Sequence, residues 1–281
     1  QSFLVKMYIP ELIRKEGLRR GLSVRTIKTY NHCVERFFRY CRKDVNKIKK
    51  DDVKDFLDKL IEKKRAGNTI NVYLNALKFL YTEVLGKKLM INIRFSKTPK
   101  TLPTVLTKDE VIKLINSIEN SKHKLVIKLM YSAGLRVSEL VNLRVEDLDL
   151  EQGIGFVKKG KGNKDRLFII AETLKDGFKS YIMENKLYNN SWLFRGNNGH
   201  LSQRSVQEII KKASNKIKTN KKIHPHTLRH SFATHLIEDG YSIFALQSLL
   251  GHTSSETTMV YLHTASPTMV NIKSPLDNLH F

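Results

Sequence analysis

The chain is short of cysteine, of acidic residues and of long apolar runs, and each shortage excludes something. Cys33 and Cys41 are the only cysteines, and both fall in one helical stretch, eight residues apart. Eight residues of helix span roughly 12 Å, whereas a disulfide needs Cα atoms within about 7 Å. The two are not bonded to each other, and nothing points to an oxidising compartment. No run of 18 apolar residues occurs, so no transmembrane helix is expected. The opening residues QSFLVKMYIPEL start at Gln1 and lack the charged region and small-residue cleavage site of a secretory leader. The expected location is cytoplasmic, with no membrane partner. No internal repeat or low-complexity segment is visible.

Carboxylates are scarce against what surrounds them. There are 27 Asp and Glu against 50 Lys and Arg, a formal charge of +23 over 281 residues. A chain this basic most plainly meets a polyanion. The excess is uneven. Up to Lys100 there are 25 basic and 10 acidic residues, and from there on 25 and 17. With 41% hydrophobic residues, the length supports a real core and more than one ordinary domain.

The hydrophobic spacing predicts a mainly α fold with a small β-sheet. A first helix is expected over 3–17, disturbed by Pro10. In SVRTIKTYNHCVERFFRYCRK, Ile27, Tyr30, Val34, Phe37, Phe38 and Cys41 form one apolar stripe behind the N-cap Ser23. On another face Arg25, Lys28, His32, Arg36, Arg39 and Lys43 repeat at the same period, with only Glu35 and Asp44 as neutralising neighbours. A solvated basic face is the ordinary reading. Because no carboxylate interrupts the stripe, a face turned to phosphates is favoured. DDVKDFLDKLIEKK carries its acids early and its bases late, as a helix dipole prefers. NTINVYLNALKFLYTEVL repeats Ile70, Tyr73, Leu74, Leu77, Leu80, Tyr81 and Val84 on one side. These four helices make a domain over 1–94, and the proline-bearing stretch 95–106 reads as a linker.

A second domain is expected over 107–281. Thr107 to Glu110 is a capping box, and HKLVIKLMYSAG is a helix closed by Gly134. The stretch from Val145 to Ile170 changes to strand character, with Gly160, Gly162 and Asn163 turning a hairpin. Helices follow at about 172–186 and 203–217. Another opens with Pro225 at its first position and stops at Gly240. Two short ones lie around IFALQSLL and SETTMVYL.

HPHTLRHSFATHL places four histidines and an arginine in little more than three helical turns. His226 and His230 share a face, the spacing of zinc hydrolases. Thr227 stands where such enzymes carry a glutamate, Arg229 puts a fixed cation on the same face, and no carboxylate cluster is at hand. No metal is expected, and His230 and His235 read as packing histidines. Arginine's planar fork matches phosphate oxygens, and His226 lies one turn before Arg229, so the pair can address one phosphate.

AGLRVSELVNL, GKGNKDR, HPHTLRHSFATHL and LLGHTSSETTMVYLH, in this order over residues 131–263, resemble the active-site boxes of the tyrosine recombinase (phage integrase) family. The likeness is greatest to its Xer-type members. The basic helical domain before them is similar to that family's core-binding domain. The resemblance implies that Arg136 is the first catalytic arginine, Lys161 the hairpin lysine, and His226 and Arg229 the H-x-x-R pair. It also implies that His252 is the second-box histidine, Tyr261 the nucleophile, and Glu139 a support for the active-site arginine. The implied reaction cuts and rejoins double-stranded DNA through a 3′-phosphotyrosyl link, without metal, ATP or another cofactor. A homotetramer on two DNA sites is implied, each protomer lending its C-terminal tail to a neighbour. A role in resolving chromosome dimers at a dif-like site, hence in chromosome segregation at cell division, goes with the Xer likeness. An integrase of a mobile element or a plasmid resolvase is the alternative within the family. The direct start in the helical domain, with no arm-binding domain before it, favours the Xer-type reading.

The chemistry is coherent on its own terms. A tyrosine can attack a phosphodiester covalently, with His226 as candidate base and Arg136 and Arg229 clamping the oxygens on which charge develops. Each residue also has an ordinary reading: Tyr261 as a half-buried helix tyrosine, Arg136 as an ion-pair partner of Glu139, and Lys161 as one turn lysine among Lys158, Lys159 and Lys164. The joint order and spacing outweigh these. A non-catalytic DNA-binding regulator is disfavoured by the intact Arg136, Arg229 and Tyr261. A metal-dependent nuclease is disfavoured by the want of carboxylate ligands.

Overall fold

The computed structural model describes residues 2–87, 102–158, 165–197 and 199–250. The expected hairpin tip, the helix around SETTMVYL and the tail lie outside them. The chain divides into two compact units, Gln1–Lys100 and Thr101–Phe281, each with its own core.

The first unit is all helical. Helix α1 (Ser2–Arg19) runs unbroken through Pro10, contrary to the disturbance expected there. Proline fixes a φ that suits a helix, so its cost is confined to one missing hydrogen bond and local crowding. Helix α2 (Val24–Cys41) starts where Ser23 accepts a hydrogen bond from the Thr26 amide. It stops because Arg42 turns left-handed at φ 53°. Ile27, Val34, Phe37 and Phe38 of the expected stripe are buried, joined by Cys33. Cys33 and Cys41 are free thiols. Helix α3 (Lys50–Glu62) and helix α4 (Gly67–Lys78) complete the set. The core is aromatic at its centre: Phe56 lies 5.3 Å from Phe37 and 5.4 Å from Tyr73, both edge-on. Such pairs add about 0.5–1.5 kcal/mol to the area they bury.

One feature of this unit was not anticipated. After Lys78 the helix widens into a π turn over Phe79–Val84. A helix with one face in the core spreads three consecutive side chains over about 200° of its circumference, too wide for a single buried stripe. The wider turn buries Phe79, Leu80 and Tyr81 together.

In the second unit, Leu106 at the end of the expected linker is fully buried, and its amide donates to Ser231 Oγ at 2.9 Å. Helix α5 (Lys108–Asn116) opens on the expected capping box: the Thr107 side chain accepts from the Glu110 amide, and the Glu110 carboxylate accepts from that of Thr107. Helix α6 (Ser121–Ser132) is followed by Ala133 and then Gly134 at φ +57°. Gly134 is required there, because a Cβ would stand 2.4 Å from the Phe232 ring. The five-residue α7 (Val137–Val141) follows at once. The sheet is antiparallel in the order β1 (Leu148–Asp149), β2 (Ile154–Val157), β3 (Arg166–Ile169). Val157 pairs with Arg166 at the end of the ladder nearest the turn.

Helix α8 (Glu172–Glu184) comes next, then a two-stranded hairpin not anticipated from the sequence, β4 (Arg195–Gly196) with β5 (Gly199–His200). Helix α9 (Gln203–Lys216), helix α10 (Pro225–Glu238) and helix α11 (Ile243–Leu250) close the described part. Pro225 takes the first position of α10 as expected. Ten of its fourteen residues are buried, polar ones included, so it runs through the interior. Among the described residues no helix is long and apolar enough to cross a membrane.

Candidate active site

Three of the expected site residues, Arg136, Glu139 and Arg229, join one hydrogen-bonded chain in the second unit. It begins at Arg136, the N-cap of α7. The Glu139 carboxylate accepts the Arg136 amide at 2.9 Å and its Nη1 at 2.6 Å. This is a capping box closed by an ion pair, with side chains 17% and 3% exposed. The pairing that would be trivial on a surface is here sequestered from solvent.

A carboxylate so deeply buried costs free energy unless it is paired and hydrogen-bonded. Glu139 is paired twice. Its Oε2 also accepts Arg166 Nη2 at 2.7 Å. Burial alone pushes the Glu139 carboxyl up, but Arg166 and Arg136 outweigh it and hold it below the usual glutamate value. The carboxylate therefore stays ionised between two guanidinium groups.

Arg229, on α10, is 3% exposed. It donates through Nη1 to the Gly134 carbonyl at 2.5 Å and through Nη2 to the Leu250 carbonyl at 2.7 Å. Arg166 donates to the adjacent Leu249 carbonyl. The last two carbonyls of α11 thus rest on two buried cations, the charge that a helix C-terminus favours. Arg136, Glu139, Arg166, Arg229 and the end of α11 form one connected set. His226, on the first turn of α10, is exposed. Its ring lies 6.3 Å from those of His224 and His230. His224 caps α10, its Nδ1 accepting the Thr227 amide. Lys161, His252 and Tyr261 lie outside the described residues.

The other histidines have packing surroundings. His235 is buried and shares a 2.8 Å hydrogen bond with the Tyr131 hydroxyl. His230 is pushed down to about 4, first by burial and then by His226, His224 and Arg229. It is neutral at pH 7. Among the described residues, no group of three or more His, Cys, Asp or Glu side chains is placed to hold a metal ion.

Arg166 was missed in the sequence, although a signal was present. Phe168 faces inward from β3 while Leu167 and Ile169 face out. The strand period therefore turns the Arg166 side chain inward, where a cation must find an acid.

Basic concavities lie elsewhere in both units. A groove of about 470 Å³ between α2 and α3 is lined by His32, Arg36 and Arg39 of the basic stripe, joined by Lys59 and Lys63. Within that stripe Arg39 is paired to Glu35 at 2.6 Å, both exposed. Lys43 falls past the end of α2 and binds Asp52 of α3 at 2.5 Å, a neutralising neighbour not foreseen from the sequence. Arg25, Lys28, His32 and Arg36 are on α2, and Arg25, Lys28 and Arg36 lie at its surface. In the second unit a cleft of about 1170 Å³ between α6, the β4–β5 hairpin and α9 is lined by Lys122, Arg195, Arg204 and Lys212, against Glu208.

Comparison with known proteins bears on the family and the fold. The model of the phage integrase family matches residues 104–267, and that of the phage integrase N-terminal SAM-like domain matches residues 11–91. A tyrosine recombinase of Thermosipho africanus is 38% identical over 261 residues, covering 88% of this chain and 91% of that one. The tyrosine recombinase XerA of Pyrococcus horikoshii is 37% identical over 246 residues, covering 86% and 84%. Among solved structures, the XerH site-specific recombinase bound to its difH substrate before cleavage superposes with a TM-score of 0.71 at 27% identity, over 86% of this chain and 76% of that one.

Proposed function

Because the chain belongs to the phage integrase family of tyrosine recombinases, we propose that it cuts and rejoins duplex DNA through a 3′-phosphotyrosyl intermediate on Tyr261. The observation that carries the reading is the connected set Arg136–Glu139–Arg166–Arg229, in which two arginines of the expected clamp are fixed by buried partners. Phosphoryl transfer needs charge stabilisation that is already in place when the transition state forms. A guanidinium held by buried hydrogen bonds supplies it without reorganising.

The roles follow from this frame. Tyr261 attacks the scissile phosphorus, and its phenol, ordinarily near pKa 10, loses its proton to His226. Arg136 and Arg229 face the non-bridging oxygens, and His252 donates a further hydrogen bond. Lys161, at the tip of the β2–β3 hairpin, protonates the leaving 5′-oxygen. The phosphotyrosyl link conserves the bond energy, so no ATP, metal or other cofactor takes part. Arg25, Lys28, Arg36, Arg39 and Lys43 contact the phosphate backbone from the first unit. The cleft with Lys122, Arg195 and Arg204 does so from the second. Such contacts position the protein without reading bases. The assembly is a tetramer on two sites with exchanged C-terminal tails. The DNA site is of the dif type, by likeness to relatives such as XerH, whose structure holds difH.

The test is covalent trapping. Sheared genomic DNA from the source organism is incubated with the protein in EDTA and quenched in SDS, and the DNA that stays attached is sequenced. Wild type should retain a discrete site, and Tyr261→Phe should bind that site and retain none. Adducts formed equally by Tyr261→Phe, or only with added metal, would reject the reading.

A further inference from the structure

Arg166 has no part in the mechanism above, yet it is the member through which the site's pieces meet. Its side chain is 7% exposed. Nη2 binds Glu139 Oε2 at 2.7 Å, and Nη1 binds the Leu249 carbonyl. Nε is buried and makes no hydrogen bond among the described residues. Each contact leads to a different part of the site. Glu139 leads to Arg136. Leu249 lies three residues before His252. The Arg166 backbone, paired with Val157, is the last rung of the ladder, at the foot of the turn in which Lys161 falls in sequence.

We propose that Arg166 is a positioning residue for strand cleavage: it holds Arg136, the foot of the Lys161 hairpin and the end of α11 in one register, and shares the Glu139 carboxylate so that Arg136 keeps positive charge for the phosphate. The proposal rests on the functional reading above.

Charge also depends on Arg166. One carboxylate between two guanidinium groups leaves a net charge of +1 on the trio. Without Arg166 the same carboxylate serves Arg136 alone, and the pair is neutral. Arg136 would still be present, correctly capped and ion-paired, but a weaker electrostatic partner for an oxyanion. The guanidinium donates from two separate nitrogens held in one plane, here to a carboxylate and to a helix-terminal carbonyl, whereas all three N–H donors of a lysine share one nitrogen. Lysine at 166 restores the charge and at most one of the two hydrogen bonds.

The effect belongs to the cleavage step and not to binding. On the duplex recovered by trapping, made as a nicked suicide substrate, Arg166→Met should bind with unchanged Kd. Its single-turnover cleavage should fall by about 100-fold, the order of loss that misplacing a reacting group produces. Arg166→Lys should fall between Arg166→Met and wild type. The decisive substrate carries a methylphosphonate at the scissile position, which has one fewer charge to neutralise. On it the gap between Arg166→Met and wild type should narrow. A merely structural defect would leave the gap the same on both substrates. Glu139 keeps Arg136 as partner in Arg166→Met, so no carboxylate is orphaned. If that variant still fails to fold, Arg166→Lys is judged on the same two substrates.

Cleavage by Arg166→Met at the wild-type rate, or an equal loss on both substrates, overturns the inference alone. A wild type that forms no adduct on any duplex overturns the functional reading and the inference together.

Discussion

His230 sits one turn after His226 and beside Arg229, half inside the second unit. It is held neutral, with a pKa of about 4 against 6.5 for a free histidine. The sign of the pH dependence follows. At pH 7 the folded histidine is neutral and the unfolded one is mostly so. As the pH falls from 6.5 toward 4, the unfolded chain takes up the proton and the folded chain does not. Stability therefore falls across that window, by up to about 3 kcal/mol for a shift of this size. His235 is lowered too, chiefly by burial, and adds to the same slope. Urea midpoints of wild type and His230→Asn, taken at pH 7 and pH 4.5, check this. The wild type should lose more on acidification than the variant, and parallel loss would show that His230 does not titrate as described. The same scale shows what the sequence conceals. Glu139 and Arg136 are three residues apart, so a capping box between them is readable as a pattern. Arg166 and the Leu249 carbonyl are 83 residues apart, and no local period connects them. The inward register of β3 marks Arg166 as needing an acid, but only the folded chain says which.

At the scale of elements, periodicity served best where one face is buried and the other solvated. Helix α2 is the clearest instance, because its apolar stripe and its cap are both local. Helix α10 is the opposite case: most of its sides are buried, so amphipathic spacing says little, and Pro225 and the capping geometry carried the assignment. The π turn after α4 and the β4–β5 hairpin were not legible. The first answers to the packing of three consecutive side chains, and the second is only two residues per strand. The ion pairs around α2 also refine what its basic face should do. Arg36 is exposed and lines the groove, whereas Lys43 is bonded to Asp52. Removing one cation that neutralises a phosphate should flatten the slope of log K against log salt by about 0.9. Filter-binding titrations over roughly 50 to 300 mM salt should show that change for Arg36→Ala and for Arg25→Ala. A smaller one is expected for Lys43→Ala, whose charge is already shared. Unchanged slopes for all three would reject α2 as a DNA face.

At the scale of the molecule, charge is divided as the two units are. The smaller carries 25 basic against 10 acidic residues, the larger 25 against 17. A strongly basic helical unit before a catalytic one suits a protein that grips DNA with the first and cuts it with the second. The C-terminal tail supplies the proposed link between protomers. Removing residues 264–281 should leave single-site binding intact and depress both synapsis and cleavage, read by gel shift and by adduct yield on the same substrate. Full recombination by the truncated chain would remove the tail from the account.

The central claim is that Tyr261 is the nucleophile of a metal-independent DNA strand transferase, and peptide mapping of the trapped adduct tests it most directly. The adduct formed in EDTA is digested with nuclease and trypsin, and the modified peptide is located by mass spectrometry. The account predicts a nucleotide joined through its 3′-phosphate to Tyr261. A nucleotide on another residue, with the exposed Tyr241 as the first to examine, or a link through a 5′-phosphate, would contradict it.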